Sequence, residues 1–292
     1  MTAPRILVAG ATGTNGRALL DALSNTDVIV RAFVRSTDAA RESLAPEIEV
    51  AEGDLADPIS LAAAFEGVDK AYVVTAVLPN SVALFRNFFD AAKDAGVRQV
   101  VKFSGLGASN DSPSEIIRHH GESDDLLRDS GLTYTIIRPN SFHQNMLWQA
   151  EAIAKTDTFY LPMGDAAQST IDVRDIAEIT AKILTSDGHE NKAYDLTGPE
   201  SLTFHDVARG IGDQRGKPVT YVPVIQAAAE AAMKEQGMPE WSAHALAEIQ
   251  ALFGTGAYAD VLPDAERLLG RKPRSFTEFV RDHLEVFMPA SR

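Results

Sequence analysis

Three evenly spaced glycines near the start of the chain are the clearest indication of chemistry in the sequence. Gly10, Gly13 and Gly16 follow the apolar run Arg5–Ala9, and a segment with helical spacing begins at Arg17. The first glycine permits a tight turn, the second lets backbone approach a pyrophosphate, and the third lets the helix pack close to the strand. This arrangement predicts a dinucleotide phosphate site. A tight turn without a ligand is the alternative.

The residues after the second predicted strand bear on which dinucleotide binds. In NAD-selective sites an acidic residue about 20 positions beyond the glycines binds the ribose hydroxyls. Here the strand Val28–Val34 is followed by Arg35 and Ser36. A guanidinium and hydroxyls suit the 2′-phosphate of NADP. We therefore expect NADP(H) to be preferred over NAD(H), although the nearby Asp38 keeps NAD(H) as an alternative.

Other candidate contacts lie where further predicted strands end. Ligands of open α/β sheets bind outside the carboxyl ends of the strands, which share one edge. The predicted cofactor-binding residues are Gly10, Thr12, Gly13, Thr14, Asn15, Gly16, Arg35, Asp54, Leu55, Thr75, Ala76, Ser104, His120, Asn140 and Phe142.

The elements that position these residues alternate regularly between strand and helix. From Arg5 to Phe103 the pattern is βαβαβαβαβ with short connections, which predicts an α/β fold with a doubly wound parallel sheet. The last third is richer in helical segments and predicts a smaller, mostly helical substrate lobe, expected to form a cleft over the cofactor. We assign residues 1–155 to the Rossmann domain, with 169–197 returning to it, and residues 156–168 and 198–292 to the smaller lobe.

The composition argues against several functional classes. A net charge of −14 repels a phosphate polymer, so nucleic acid is not an expected partner. The absence of cysteine excludes disulfides, thiolate nucleophiles and Cys-ligated metals. Neighbouring helix residues diverge by about 100°, so His119 and His120 cannot share a metal, and no metal is expected.

The distribution of apolar residues bears on location. No apolar run approaches the length of a membrane span, and the N-terminus lacks the pattern of a signal peptide. We expect a cytoplasmic protein that does not bind membranes. A homodimer remains an open possibility.

Taken together, these motifs resemble the NmrA-like family of atypical short-chain dehydrogenase/reductases, over nearly the whole chain. Within that family the resemblance is greatest to quinone reductases and triphenylmethane-dye reductases. It implies NAD(P) binding, a C-terminal substrate lobe and hydride transfer to an aromatic or conjugated substrate. The motifs that carry it are Gly10–Gly16, Val34-Arg35, Gly53-Asp54-Leu55, Val101–Ser104 and Ile137–Asn140.

The helix after the fifth strand departs from the usual short-chain reductase pattern. That pattern places Tyr-x-x-x-Lys there, in which tyrosine donates a proton and lysine lowers its pKa and holds the nicotinamide ribose. Counting back from Gly131 places Ile116 at the tyrosine position and His120 at the lysine position. The tyrosine–lysine mechanism is therefore not expected here.

A quinone or a conjugated cation can be reduced without the tyrosine–lysine pair. Hydride transfer to such an acceptor can proceed through cofactor positioning, with any proton coming from water or a weak acid. His120 is the candidate catalytic residue, because a histidine could hold the ribose or relay a proton near neutral pH. An ordinary helix-surface histidine beside His119 is the alternative.

The segment after the sixth strand supplies the candidate substrate contacts. The family resemblance places Asn140 and the following residues at the nicotinamide end. The predicted substrate residues, whose spacing also fits an ordinary core, are Phe142, His143, Met146 and Trp148.

Two functions remain in competition. The complete substrate lobe favours an NADPH-dependent reductase of quinone-like or other conjugated or aromatic small molecules. The missing tyrosine–lysine pair favours a non-catalytic NAD(P)-binding redox sensor that acts through a protein partner. Fold analogy cannot separate them, and we favour the reductase.

Overall fold

The computed structural model describes residues 3–289 and divides the chain into two compact units of similar size. Unit 1 contains the residues through Asp111, Ile117–Arg138 and Ile176–Tyr194. Unit 2 contains Ser112–Ile116, Pro139–Asp175 and the residues from Asp195 onward.

The described strands comprise one large sheet and two small ones. They are, in chain order, β1 (Arg5–Ala9), β2 (Ile29–Val34), β3 (Glu49–Glu52), β4 (Lys70–Val73), β5 (Gln99–Phe103), β6 (Tyr134–Pro139), β7 (Thr158–Leu161), β8 (Ala167–Gln168), β9 (Lys192–Leu196), β10 (Leu202–Thr203) and β11 (Thr220–Pro223). The large sheet has the order β3-β2-β1-β4-β5-β6-β9, and β1 to β6 pair in parallel. The predicted doubly wound α/β fold is therefore confirmed.

Helices connect the strands. They are α1 (Thr14–Leu23), α2 (Thr37–Arg41), α3 (Pro58–Ala64), α4 (Ser81–Asp94), α5 (Glu115–Asp129), α6 (Ala150–Thr156), α7 (Val173–Thr185), α8 (Phe204–Arg215), α9 (Gln226–Glu235), α10 (Glu240–Phe253), α11 (Asp264–Leu269), α12 (Phe276–Asp282) and α13 (Leu284–Phe287). A 3₁₀ helix, His143–Gln149, precedes α6. Within residues 3–289, none of these helices has the length and hydropathy required to cross a bilayer.

Local sequence accounts for several of these boundaries. The side chain of Asp57 accepts hydrogen bonds from the N–H groups of Ile59 and Ser60, while Pro58 occupies the first helical position, so α3 begins at Pro58. The apolar face of α4 packs into the core of unit 1 with residues of β1 and β4. This packing fixes the strand ends where the predicted site residues lie.

The unit boundaries differ from the domain boundaries expected from sequence. Residues 139–155, which the sequence pattern places with the dinucleotide domain, lie in unit 2. The reason is packing: Met146, Ala150 and Ile153 are buried in a cluster with Phe159 and Phe279, which belong to unit 2. The change of unit therefore comes directly after Arg138, near the end of β6.

Candidate functional site

The glycine turn between β1 and α1 shows why each glycine is there. Gly10 has φ +82°, and a Cβ on it would lie 2.5 Å from a side-chain atom of Val74. A Cβ on Gly16 would lie 2.1 Å from the carbonyl oxygen of Gly10. A Cβ on Gly13 would meet only that same oxygen, at an ordinary 3.5 Å. The chain's own packing therefore requires Gly10 and Gly16 but leaves Gly13 open to an approaching ligand.

The start of α1 is suited to an anion. Gly13 is the N-cap and offers no side-chain acceptor, so the first N–H groups of the helix remain available to a phosphate. Thr12 and Thr14 are exposed beside it. Asn15 Oδ1 is buried and has no hydrogen-bond partner among residues 3–289. An available helix start and an unpartnered buried atom fit a bound dinucleotide.

The next two strand ends reach the same edge of the sheet. Arg35 directly follows β2 and is exposed, and the Ser36 side chain accepts the N–H of Ala39 at 3.4 Å. After β3, Asp54 is exposed and its Oδ1 accepts the N–H of Ala56 at 2.8 Å. These contacts leave the Arg35 guanidinium and the second oxygen of Asp54 available to an adenosine moiety.

The remaining predicted contacts in unit 1 follow β3, β4 and β5. The Leu55 carbonyl accepts from the side chain of Asn87 at 3.0 Å. Thr75 is half-buried and Ala76 is exposed. Ser104 donates its N–H to Ile137 at 2.8 Å, and its buried Oγ has no hydrogen-bond partner in the described part of the chain.

His120 lies against the end of β5 rather than on an open helix face. A Cβ on Gly105 would lie 3.0 Å from His120 Cδ2 and 3.5 Å from Nε2, so the absence of a side chain at Gly105 makes room for the ring. Its Nδ1 is buried without a hydrogen-bond partner from the described residues. The structure thus brings His120 to the end of β5, at the sheet edge predicted for the cofactor.

A buried ion cluster lies beneath α5. Lys102 Nζ contacts Asp124 Oδ1 at 2.7 Å, and Arg138 donates two hydrogen bonds to Asp124 Oδ2 at 2.7 and 2.9 Å. The Lys102 and Asp124 side chains are fully buried. Lys102 also lies 4.6 Å from the centroid of the Phe85 ring. The positions of Lys102, Asp124 and Arg138 in the sequence do not show that their side chains meet, so no sequence pattern predicts the cluster.

The cluster remains charged and affects its neighbour. Burial lowers the pKa of Lys102 to about 8, against the opposing effect of Asp124. Burial acts to raise the pKa of Asp124, but Lys102 and Arg138 outweigh it and hold that pKa below its usual range. Burial, followed by the charge of Lys102, lowers the pKa of His120 to about 3. His120 is therefore in its neutral form at pH 7.

Two other features of α5 concern possible proton donors. The helix contains no tyrosine. The His119 ring is turned toward α4, where its Nδ1 forms a 3.0 Å hydrogen bond with Ser81 Oγ. Among residues 3–289, no three histidine or carboxylate side chains are grouped so as to hold a metal ion.

In unit 2, the Asn140 side chain is fully engaged in internal bonds. Its Nδ2 donates to Ser169 Oγ and to the Tyr258 carbonyl, both at 3.0 Å. Its Oδ1 accepts from the Ser141 N–H at 2.8 Å and from Gln168 Nε2 at 3.3 Å. Two donors and two acceptor positions exhaust an amide. The Asn140 side chain therefore has a structural role in unit 2.

The four predicted substrate residues fall into two pairs. His143 is 1% exposed, with Nδ1 bonded to Thr170 Oγ1 at 2.9 Å, and burial lowers its pKa to about 4. Met146 is buried in the core of unit 2. Phe142 is half-buried beside the 3₁₀ helix, and Trp148 is 68% exposed. The first two side chains are part of the packing, whereas the last two retain accessible surface.

Comparison with known proteins gives consistent matches along the whole chain. The sequence profile of the NmrA-like family matches residues 2–280. An NAD(P)H azoreductase of Xenophilus azovorans is 40% identical over 97% of this chain and 99% of its own length. An Escherichia coli NADPH-dependent quinone oxidoreductase, solved with NADPH, is 31% identical, with a TM-score of 0.87 over 96% of this chain and 99% of that one. A Citrobacter triphenylmethane reductase is 26% identical, with a TM-score of 0.86 over 96% and 99%.

Proposed function

The chain belongs to the NmrA-like family, and we propose that it is an NADPH-dependent reductase that transfers a hydride to quinone-like or other conjugated acceptors. The observation that carries the proposal is the neutral His120, seated on Gly105 with an unpartnered Nδ1 at the edge of the sheet. Support also comes from the names of its relatives, which include an azoreductase, a quinone oxidoreductase and a triphenylmethane reductase.

Each part of the site has a distinct task in this proposal. The backbone of Gly13 and the start of α1 bind the pyrophosphate, and Arg35 binds at the adenosine end. His120 Nδ1 and Ser104 Oγ are available to the hydroxyls of the nicotinamide ribose. When bound, the reduced nicotinamide supplies the hydride.

The low pKa of His120 limits the reactions that the site can support. A neutral imidazole with a pKa of about 3 is a poor general acid at pH 7, so His120 acts by holding the cofactor. The acceptor must then take a hydride without a proton from this side chain. A cationic dye takes the hydride alone, and a quinone takes the hydride and a proton from water. A saturated ketone, whose alkoxide product requires an acid, fits poorly.

Of the four predicted substrate residues, only the two that retain accessible surface are proposed as substrate contacts, and both are aromatic. Phe142 and Trp148 could pack against a flat conjugated ring, because aromatic side chains stack on such surfaces. Trp148→Ala tests this role: we expect a higher KM for an aromatic acceptor and an unchanged dissociation constant for NADPH.

Arg35 is proposed to set the preference for NADPH over NADH. Its charge and fork of donors match a phosphate, and loss of this exposed pair (up to about 1 kcal/mol) together with repulsion from the new aspartate amounts to about 1.4 kcal/mol, or tenfold in affinity. Arg35→Asp should therefore lower the ratio of kcat/KM for NADPH to that for NADH at least tenfold. An unchanged ratio would show that the 2′-phosphate is recognised elsewhere.

The proposed activity is tested by following NADPH oxidation at 340 nm with quinones, azo dyes, cationic dyes, imines and enones. We expect turnover with at least one conjugated class. Tight NADPH binding without turnover on any of them would reject the reductase and favour the redox sensor.

A further inference from the structure

A carboxylate lies beside the loop proposed to bind the 2′-phosphate. Glu52 is the last residue of β3 and pairs in register with Val34, the last residue of β2. The chain then turns through Arg35 and Ser36, and the N–H of Thr37 donates to Glu52 Oε2 at 2.7 Å. Glu52 therefore accepts a hydrogen bond from the backbone of the loop whose Arg35 guanidinium and hydroxyl side chains suit a phosphate.

Glu52 is an exposed, charged group at neutral pH. The hydrogen bond from the Thr37 backbone keeps the pKa of Glu52 below its usual range. Neighbouring strands lie about 4.8 Å apart, and Arg35 is next to the residue paired with Glu52. A phosphate bound by Arg35 would thus lie near a negative charge, whereas a ribose hydroxyl could donate to it.

We propose that Glu52 is a specificity-determining residue that weakens the binding of NADPH and supports that of NADH, so that the protein uses both. The acidic residue that NAD-selective sites place at the end of the second strand is here supplied from the end of the third. At the 2′ position of the adenosine ribose, Arg35 favours a phosphate and Glu52 favours a hydroxyl. This inference rests on the proposed dinucleotide-dependent function.

The experiment measures dissociation constants for NADPH and NADH by nicotinamide fluorescence in the wild type and Glu52→Gln. Glutamine retains an oxygen that can accept from Thr37 N–H, so the variant removes the charge and keeps the loop contact. We expect NADPH to bind about threefold more tightly and NADH about twofold more weakly, as for an exposed charge interaction. The change for NADPH should shrink at 0.5 M salt, where exposed charges are screened.

Two controls separate this charge effect from other causes. Glu66→Gln removes a carboxylate that is also exposed in unit 1, beyond the C-terminal end of α3, and should leave both constants unchanged. Competition by 2′,5′-ADP and by 5′-AMP confines the comparison to the adenosine end. In this competition, Glu52→Gln should strengthen the binding of 2′,5′-ADP but not that of 5′-AMP.

The outcomes distinguish this inference from the proposed function. If the wild type binds and oxidises NADPH but Glu52→Gln leaves the NADPH/NADH ratio unchanged, or shifts both constants equally, Glu52 has only a structural role and the inference is overturned. If the wild type binds neither nucleotide, the proposed function and this inference both fail.

Discussion

The glycine turn after β1 and the buried ion cluster beneath α5 differ in how far apart their residues lie in the sequence. The turn consists of seven consecutive residues, and its backbone presents the binding groups. The cluster joins Lys102, Asp124 and Arg138, which come from a strand, a helix and another strand. The turn tolerates changes that leave its backbone free, whereas the cluster depends on every charge because water cannot replace a missing partner.

This contrast explains what the sequence could predict. The roles of Gly10 and Gly16 follow from spacing, because a turn between a strand and a helix is a local structure, and the structure confirms both. The α/β fold follows from regular alternation in the same way. Nothing local shows that Lys102 and Asp124 meet, or that burial, followed by the charge of Lys102, lowers the pKa of His120.

In unit 2, the role of Asn140 also depends on partners that are distant in sequence. Asn140 follows a predicted strand, which made it a candidate for cofactor binding. Its side chain is instead bonded to Ser169, Gln168 and the backbone of Tyr258. Tyr258 lies more than a hundred residues away, so only the folded chain reveals that the amide has no bond to spare.

The largest effect is expected from opening the ion cluster. Asp124→Ala leaves two cations without their anion, one of them fully buried, and should lower the free energy of unfolding by about 3–5 kcal/mol. The matched control is Asp125→Ala, because the neighbouring Asp125 is about half exposed and pairs with Arg128 at the surface. That change should cost less than about 1 kcal/mol. Urea unfolding measures both, and equal losses would show that the cluster contributes nothing beyond a surface pair.

A smaller loss is expected from filling the space at the third glycine. Gly16→Ala places a Cβ against backbone atoms of Gly10 and Ala11, at 2.1 and 2.7 Å, and neither can move independently. We expect a loss of about 2–3 kcal/mol in the same urea experiment. Stability equal to the wild type would contradict the close contact between helix and strand.

A substitution at the middle glycine should weaken cofactor binding with little effect on stability. Gly13→Ala meets no close atom of the chain, so the free energy of unfolding should change by less than about 1 kcal/mol. The dissociation constant for NADPH should nevertheless rise about tenfold, which corresponds to 1.4 kcal/mol, because the methyl group occupies space left for the pyrophosphate. Fluorescence titration measures this constant, and unchanged affinity would place the phosphate elsewhere.

The smallest effect concerns the protonation of His120. Its pKa of about 3 in the folded protein lies below the ordinary value of 6.5. As pH falls through 6.5, the unfolded chain binds a proton that the folded chain does not, so stability falls. Between pH 8 and pH 6 this contributes about 0.8 kcal/mol, which His120→Asn should remove from the pH dependence of urea unfolding. Parallel pH profiles for the two proteins would mean that His120 titrates normally.

We propose that the site transfers a hydride to acceptors that need no proton from the enzyme. The most direct measurement uses NADPH deuterated at the transferring C4 position, with a cationic triphenylmethane dye and a saturated ketone as separate acceptors. We predict that the reduced dye carries one deuterium on its central carbon and that the ketone is not reduced. Reduction of the ketone with a similar kcat/KM would show that the site supplies a proton, and a reduced dye without deuterium would show that it does not transfer the C4 hydride.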